Sequence, residues 1–190
     1  GLKRLTTLVL VGDDALLEEA VNQFALTSTV LAYIPMTESL FAPALSLPYG
    51  SAAVDALAAR RIEKLDIGRV ANRFFFGALI CEGRGIELHS PTFSIFSQAY
   101  VALDLVNLGE GIYPDQGAFT ARITPIVGSM FKKSPGAPSV LKLQSCRLKS
   151  GKPLSATLGV HGIFKLPLQV DIAPKAIRMV VGRRTKVRRK

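Results

Sequence analysis

The sequence predicts a partial α/β layer followed by an antiparallel β-sandwich, and two textures along its 190 residues carry that reading. Up to Arg60, short apolar runs alternate with amphipathic segments, the strand–helix–strand–helix rhythm of a parallel sheet covered by helices. After Arg60, Gly, Pro and Ser interrupt a series of short apolar segments, as in an antiparallel sandwich. Residues 1–60 are read as the α/β part, 61–181 as the β-rich part and 182–190 as a basic tail. Hydrophobic residues make up 48% of the chain, enough for a packed core.

Thr7 to Val11 is an apolar run ended by Gly12, Asp13 and Asp14, which predicts a buried strand. Ala15 to Phe24 predicts a helix: Leu16, Leu17, Ala20, Val21 and Phe24 share one face, and Asp13 or Asp14 can cap its free N–H groups. Thr29 to Ile34 reads as a second strand stopped by Pro35. A short helix near Ser39 to Leu45 follows, then one that Ser51 caps and that runs to Ala59. Leu65 to Val70 and Phe74 to Cys81 read as a hairpin around Ala71, Asn72 and Arg73. Further strands are expected over Tyr100–Val106, Phe119–Ile126, Val140–Leu148, Ser155–Val160, Leu168–Ile172 and Ile177–Val181, with Pro125–Pro138 an exposed loop.

The net charge is +10, and six of the positive charges stand in the tail as Arg183, Arg184, Lys186, Arg188, Arg189 and Lys190. Such a run is a solvated end, or a patch drawn to anionic lipid at about 1 kcal/mol per basic side chain. Counterion release would draw it to nucleic acid as well, but there is no Trp and aromatics are 7%, so a specific nucleic-acid binder is not expected. Cys81 and Cys146 form no CxxC pair and read as buried thiols of a reduced, cytoplasmic protein. No apolar run reaches the roughly 18 residues of a membrane span.

The order of these features resembles the bacterial lipid kinases of the diacylglycerol kinase type, which are related to sphingosine kinases and share an N-terminal fold with NAD kinases. The family's first signature is Gly-Gly-Asp-Gly-Thr-hydrophobic-Asn-Glu; here the matching stretch is Val11-Gly12-Asp13-Asp14-Ala15-Leu16-Leu17-Glu18. Its second, Ile-Pro-Leu-Gly-Thr-Gly-Asn-Asp-Phe-Ala, is matched by Ile34-Pro35-Met36-Thr37-Glu38-Ser39-Leu40-Phe41-Ala42. Arg61 to Val70 with Asn72 to Phe75 resembles the passage between the family's two domains, where Asp66 matches a kept position and would orient the hairpin through Arg61 or Arg69. Leu166 to Val181 resembles its final hairpin, while 83–138 has no clear anchor. The family opens with elements upstream of the first signature, so the resemblance implies a missing N-terminal segment. The sheet edge left behind would be covered by a partner (a second copy of the chain included) or by an unseen segment.

The resemblance implies ATP and Mg²⁺ as cofactors and a lipid hydroxyl as acceptor. Phosphoryl transfer is mostly positioning and charge neutralisation, and glycines let the backbone approach the phosphates. The implied nucleotide-binding residues are Gly12, Asp13, Asp14 and Ala15 in the first loop and Thr37, Glu38 and Ser39 in the second. The family's Asp-Gly-Glu turn, which carries the general base, falls on Leu158-Gly159-Val160-His161-Gly162, placing His161 as the base. Asp14 replaces a Gly and Glu38 adds an acid. A carboxylate about 4 Å from a phosphate charge costs roughly 1 kcal/mol in water and about 4 kcal/mol at an effective dielectric near 20. Weak or lost kinase activity is therefore expected, and the rival is a non-catalytic lipid-binding or interaction module on an anionic membrane surface.

Overall fold

A computed structural model describes residues 6–109, 111–129, 132–159 and 162–183. The first elements are β1 (Thr7–Gly12), α1 (Asp14–Phe24), β2 (Val30–Pro35), α2 (Phe41–Ala44) and α3 (Ala52–Ala58). They are followed by β3 (Ile62–Val70), β4 (Arg73–Phe75), β5 (Ala78–Gly83), β6 (Ile86–His89), β7 (Ser94–Ser97) and β8 (Val101–Val106). The remainder are β9 (Phe119–Ser129), β10 (Lys132–Pro135), β11 (Ser139–Leu143), β12 (Ser145–Ser150), β13 (Ser155–Leu158), β14 (Ile163–Lys165) and β15 (Leu168–Val180). The fold is an α/β layer joined to a β-sandwich, as the two textures predict.

The N-terminal rhythm gives the expected elements, but β1 is not the buried strand its apolar run predicts. Among the described residues it is the edge of its sheet, only Leu10 in it is buried, and Val9 and Val11 are exposed, as is Leu16 on α1. β1 and β2 run parallel, Thr7 beside Val30 through Gly12 beside Pro35. Asp13 caps α1 by accepting the Leu16 N–H at 3.0 Å, and Leu17, Ala20 and Val21 are buried beneath the helix. Ser51 precedes α3 as expected, but its side chain makes no capping bond there.

The far end of the chain completes this layer. β15 lies parallel to β2, Arg178 beside Val30, and antiparallel to β3 along most of its length. The start of β15 pairs instead with β12, Cys146 beside Val170. One strand thus carries β2 and β1 on its last residues and β12, β6 and β7 on its first, with β3 along the other side. The second sheet runs β10-β9-β8-β5-β13-β14, with β11 on β9.

Among the described residues two large apolar cores result, with a small third cluster of Val30, Ala32 and Val180 on the other face of the sheet's N-terminal part. The layer core joins Leu17, Val21, Leu31 and Tyr33 to Leu65, Ile67, Phe76 and Met179. The sandwich core joins Phe75, Leu88, Cys146 and Leu148 to Leu79, Leu103, Phe119 and Leu158. Cys81 and Cys146 are buried free thiols, as expected.

Four further sequence expectations change, each for a packing reason. The hairpin forms only between β3 and β4, because Phe75 enters the sandwich core while Phe76 enters the layer core, and β5 then joins the other sheet. The run 140–148 is two strands in different sheets, β11 and β12, parted at Gln144. The supposed closing hairpin is the single strand β15, with a bulge between Ala173 and Ile177. The expected loop over 125–138 contains a β9–β10 hairpin in which Ile126 faces Pro135. β6 and β7, within the unanchored stretch, pair Leu88 with Ile95.

Asp66 fixes that bulge. Its side chain is buried and accepts the Lys175 N–H at 2.8 Å and the Gly117 N–H at 2.6 Å, while its own N–H reaches Pro114 O at 2.7 Å. It does not pair with Arg61 or Arg69; Arg69 meets Asp171 at 3.5 Å. Asn107, also buried, donates to the carbonyls of Asp66 and Phe76, each at 3.0 Å. Asp66→Ala strands two buried N–H groups and is expected to cost about 2–4 kcal/mol. In a chain of this size that lowers the thermal midpoint by roughly 5–15 °C. Calorimetric melting tests it, with Asp66→Asn falling less because one acceptor remains.

Candidate functional site

The two loops matched to the nucleotide signatures lie together at the carboxyl ends of β1 and β2. Parallel pairing brings them there: Gly12 is beside Pro35, and its carbonyl accepts the Met36 N–H at 2.9 Å. Such an end of a parallel sheet, with a helix starting from it, is where open α/β folds place ligands.

Asp14 decides what this place can do. One oxygen of its carboxylate accepts the hydroxyls of Ser39 and of Tyr33, the latter at 3.1 Å. The other accepts the Leu40 N–H at 2.7 Å. Ser39 in turn accepts the N–H groups of Phe41 at 3.0 Å and Ala42 at 2.9 Å, so it starts α2. Burial and the nearby Asp14 carboxylate push the Tyr33 phenol well above its ordinary range, keeping it a neutral donor. The donors of the second loop therefore converge on a carboxylate of the first.

The remaining sequence-chosen residues divide clearly. Asp13 is exposed and occupied as the cap of α1, Ala15 is half-buried, and Thr37 and Glu38 point outward. His161 lies outside the described residues. Its flanking Gly159 and Gly162 bound the turn from β13 to β14, where Leu158 donates to Gly162 O at 3.0 Å. Leu158 faces Leu79, two residues past Gly77, so this turn is at the sandwich end nearest the α/β layer. Among the described residues, no group of three or more His, Cys, Asp or Glu side chains is arranged to hold a metal.

Mg-ATP does not fit these loops as they stand. The hydroxyl and N–H donors that would face a phosphate already serve Asp14, and a phosphate placed there would meet that carboxylate. A hollow of about 420 Å³ lies elsewhere. It opens on the sheet beside α3, lined by Val9, Val30, Ala32, Val54, Leu57 and Ile62 among others, and none of the loop residues borders it.

Tyr33 and Glu18 were not singled out from the sequence. Tyr33 belongs to an apolar run and Glu18 to the polar half of a helix pattern, yet both are buried. Glu18 accepts the N–H groups of Phe76 at 2.8 Å and Gly77 at 2.6 Å, where the chain passes between the two cores. Gly77 is needed for that approach: a Cβ on it would come within 2.8 Å of Glu18 Oε1 and 2.9 Å of the Phe41 ring. The readable signal was position, since Glu18 matches the final Glu of the first signature.

Burial raises the Glu18 carboxyl to about 7, with Asp14 adding to the rise and the two N–H bonds opposing it. A carboxyl raised on folding holds its proton more tightly in the folded state. The resulting stability is present below about pH 4.5, the unfolded value, and is lost as pH climbs to about 7. The loss is of order 3 kcal/mol, or roughly 6–12 °C of thermal midpoint. Melting from pH 5 to pH 8 should show this decline in the parent and a flatter profile in Glu18→Gln. Equal slopes would assign it to other groups.

No protein-family model and no curated protein matches the sequence. Solved structures do match in fold. A protein of Bacillus anthracis strain Sterne assigned as a diacylglycerol kinase superposes with a TM-score of 0.79 at 13% identity, covering 94% of this chain and 79% of its own. A diacylglycerol kinase structure from the same strain gives 0.78 at 13% identity over 94% and 77%. A third structure, of a protein assigned in the same way, gives 0.77 at 13% identity over 94% and 78%. At this identity the likeness is one of fold, and it matches the order of features read from the sequence: the chain has the diacylglycerol kinase fold.

Proposed function

We propose that this chain is a lipid kinase relative in which ATP-dependent phosphorylation of a lipid hydroxyl is weak or lost, and which still works on lipid at an anionic membrane surface. The fold supports the lipid kinase part, and Asp14 supports the loss. Its carboxylate takes the place and the donors of a phosphate, with Ser39, Leu40 and Tyr33 turned toward it. His161 as general base and the tail as a lipid contact extend the proposal from the sequence; residues 161 and 184–190 lie outside the described residues. Among the described residues, no helix is long and apolar enough to cross a membrane.

The test is binding of Mg-ATP by titration calorimetry, followed by phosphate transfer to diacylglycerol or a sphingoid base in micelles. The parent is expected to show no saturable binding up to about 1 mM, equivalent to roughly −4 kcal/mol. Asp14→Gly removes the competing carboxylate and frees the donors. Its affinity should rise at least tenfold, while about 2–4 kcal/mol of stability is lost with the three hydrogen bonds. Tight Mg-ATP binding and steady transfer by the parent would overturn the proposal.

A further inference from the structure

Three connections meet at the end of the sandwich remote from α1. They are Arg84–Gly85 between β5 and β6, residues 151–154 between β12 and β13, and residues 98–100 between β7 and β8. The six residues of β5 separate them from Gly77 and the Glu18 contact, roughly 20 Å of strand. Gly85, at φ +70°, forms a turn whose N–H bonds Ser97 O at 2.9 Å. Gly83 packs directly on Leu154; a Cβ there would fall 2.7 Å from the Leu154 side chain. These contacts hold the connections around an open hollow of about 330 Å³, lined by Arg84, Phe96, Gln98 and Lys152 with Glu87.

The charges at this end are not mutually neutralised. Arg84, Lys152 and Lys165 are exposed and form no ion pair with a described residue. The carboxylate at the hollow, Glu87, is 3.0 Å from His89 Nε2. Phe96 stands beside these cations with 58% of its surface exposed, on the outward side of the edge strand β7. A bare aromatic ring among unpaired cations and an amide suits the boundary of an anionic bilayer. The phosphate of a headgroup takes hydrogen bonds and charge from Arg and Lys, while the ring enters the less polar zone beneath.

We propose that this end of the sandwich is a docking surface for an anionic lipid bilayer, with Arg84 and Lys152 receiving headgroup phosphate and Phe96 entering the interface. The proposal rests on the lipid-directed reading above for its choice of partner, and locates that contact away from Asp14.

The experiment is sedimentation of the full chain with vesicles of phosphatidylcholine alone or with 30% phosphatidylglycerol (about a third anionic lipid, as a probe). The expected result is binding to the anionic vesicles, lowered at least tenfold by R84E/K152E and about threefold or more by F96S at unchanged charge. The control K64E/K142E alters net charge by the same amount on exposed positions elsewhere and should lower binding less than twofold. Melting checks that every variant is folded. Equal losses in the two double variants, or no loss in F96S, would overturn the docking surface while leaving the lipid-directed reading intact. A parent that ignores anionic vesicles would sink both. Competition by soluble glycerol phosphate at low millimolar concentration would make the hollow a site for a free phosphate and overturn the bilayer as its partner.

Discussion

The buried carboxylate of Asp66 sets the geometry on which both halves depend. β15 must serve a parallel partner at one end and an antiparallel partner at the other while β3 accompanies it throughout. Those partners belong to one eight-stranded sheet but lie beside different stretches of β15, and the bulge at Ala173–Ile177 falls between the two stretches. A bulge leaves backbone groups unpaired, and buried unpaired groups are costly. Asp66 removes that cost by taking the Lys175 N–H, and by taking Gly117 as well it ties the connection after β8 to the same point. Asn107 adds the carbonyls of Asp66 and Phe76. Backbone from four parts of the chain is thus fixed around two polar side chains, at the place where the two cores meet.

The sequence shows its local structure well and its long-range pairing poorly. β1, α1 and β2 each carry their own signal, an apolar run with a stop or an apolar face with a cap, and each folds within a residue or two of its expected bounds. What fails is any element whose neighbours change partway along. Leu141 and Leu143 alternate inward, then Cys146 and Leu148 do so in the opposite phase, and the strand is cut at Gln144 between them. That shift of phase was present in the residues, but hydrophobicity alone reads straight through it. Phe74, Phe75 and Phe76 hide a sharper switch, because consecutive aromatic residues give no period at all. β15 shows the converse error: Pro174 and Lys175 look like a turn, yet a bulge held by Asp66 keeps the strand continuous.

The candidate site was legible as a place and less so as chemistry. Gly12, Asp13 and Asp14 were correctly set at a helix start, and Ser39 near them, because the parallel pairing of β1 and β2 follows from the α/β rhythm. That Asp14 and Ser39 bond each other could not be read from spacing, since they are 25 residues apart and meet only through the sheet. The replacement of a glycine by an acid at position 14 looked like a loss of phosphate affinity by repulsion. The structure adds a second effect of the same sign: the acid recruits the donors. Repulsion between exposed charges is screened by salt, whereas the close contacts of Ser39 and Leu40 with Asp14 are screened much less.

Asp14 and Glu18 are one helical turn apart on α1, and their tasks are separate in space and in chemistry. Asp14 faces the loop after β2 through a hydroxyl, a phenol and one N–H, all outside the junction. Glu18 faces Phe76 and Gly77 and holds the helix to the strand switch between the cores. They interact, since each negative charge disfavours the other, and Asp14 is one cause of the raised Glu18 carboxyl. Removing the charge at Asp14 therefore eases the ionisation of Glu18 and partly offsets the hydrogen bonds given up. It leaves the Glu18, Asp66 and Asn107 contacts at the junction in place. The loop after β2 is thus held through Asp14, and the junction between the cores through Glu18, Asp66 and Asn107, by separate sets of contacts.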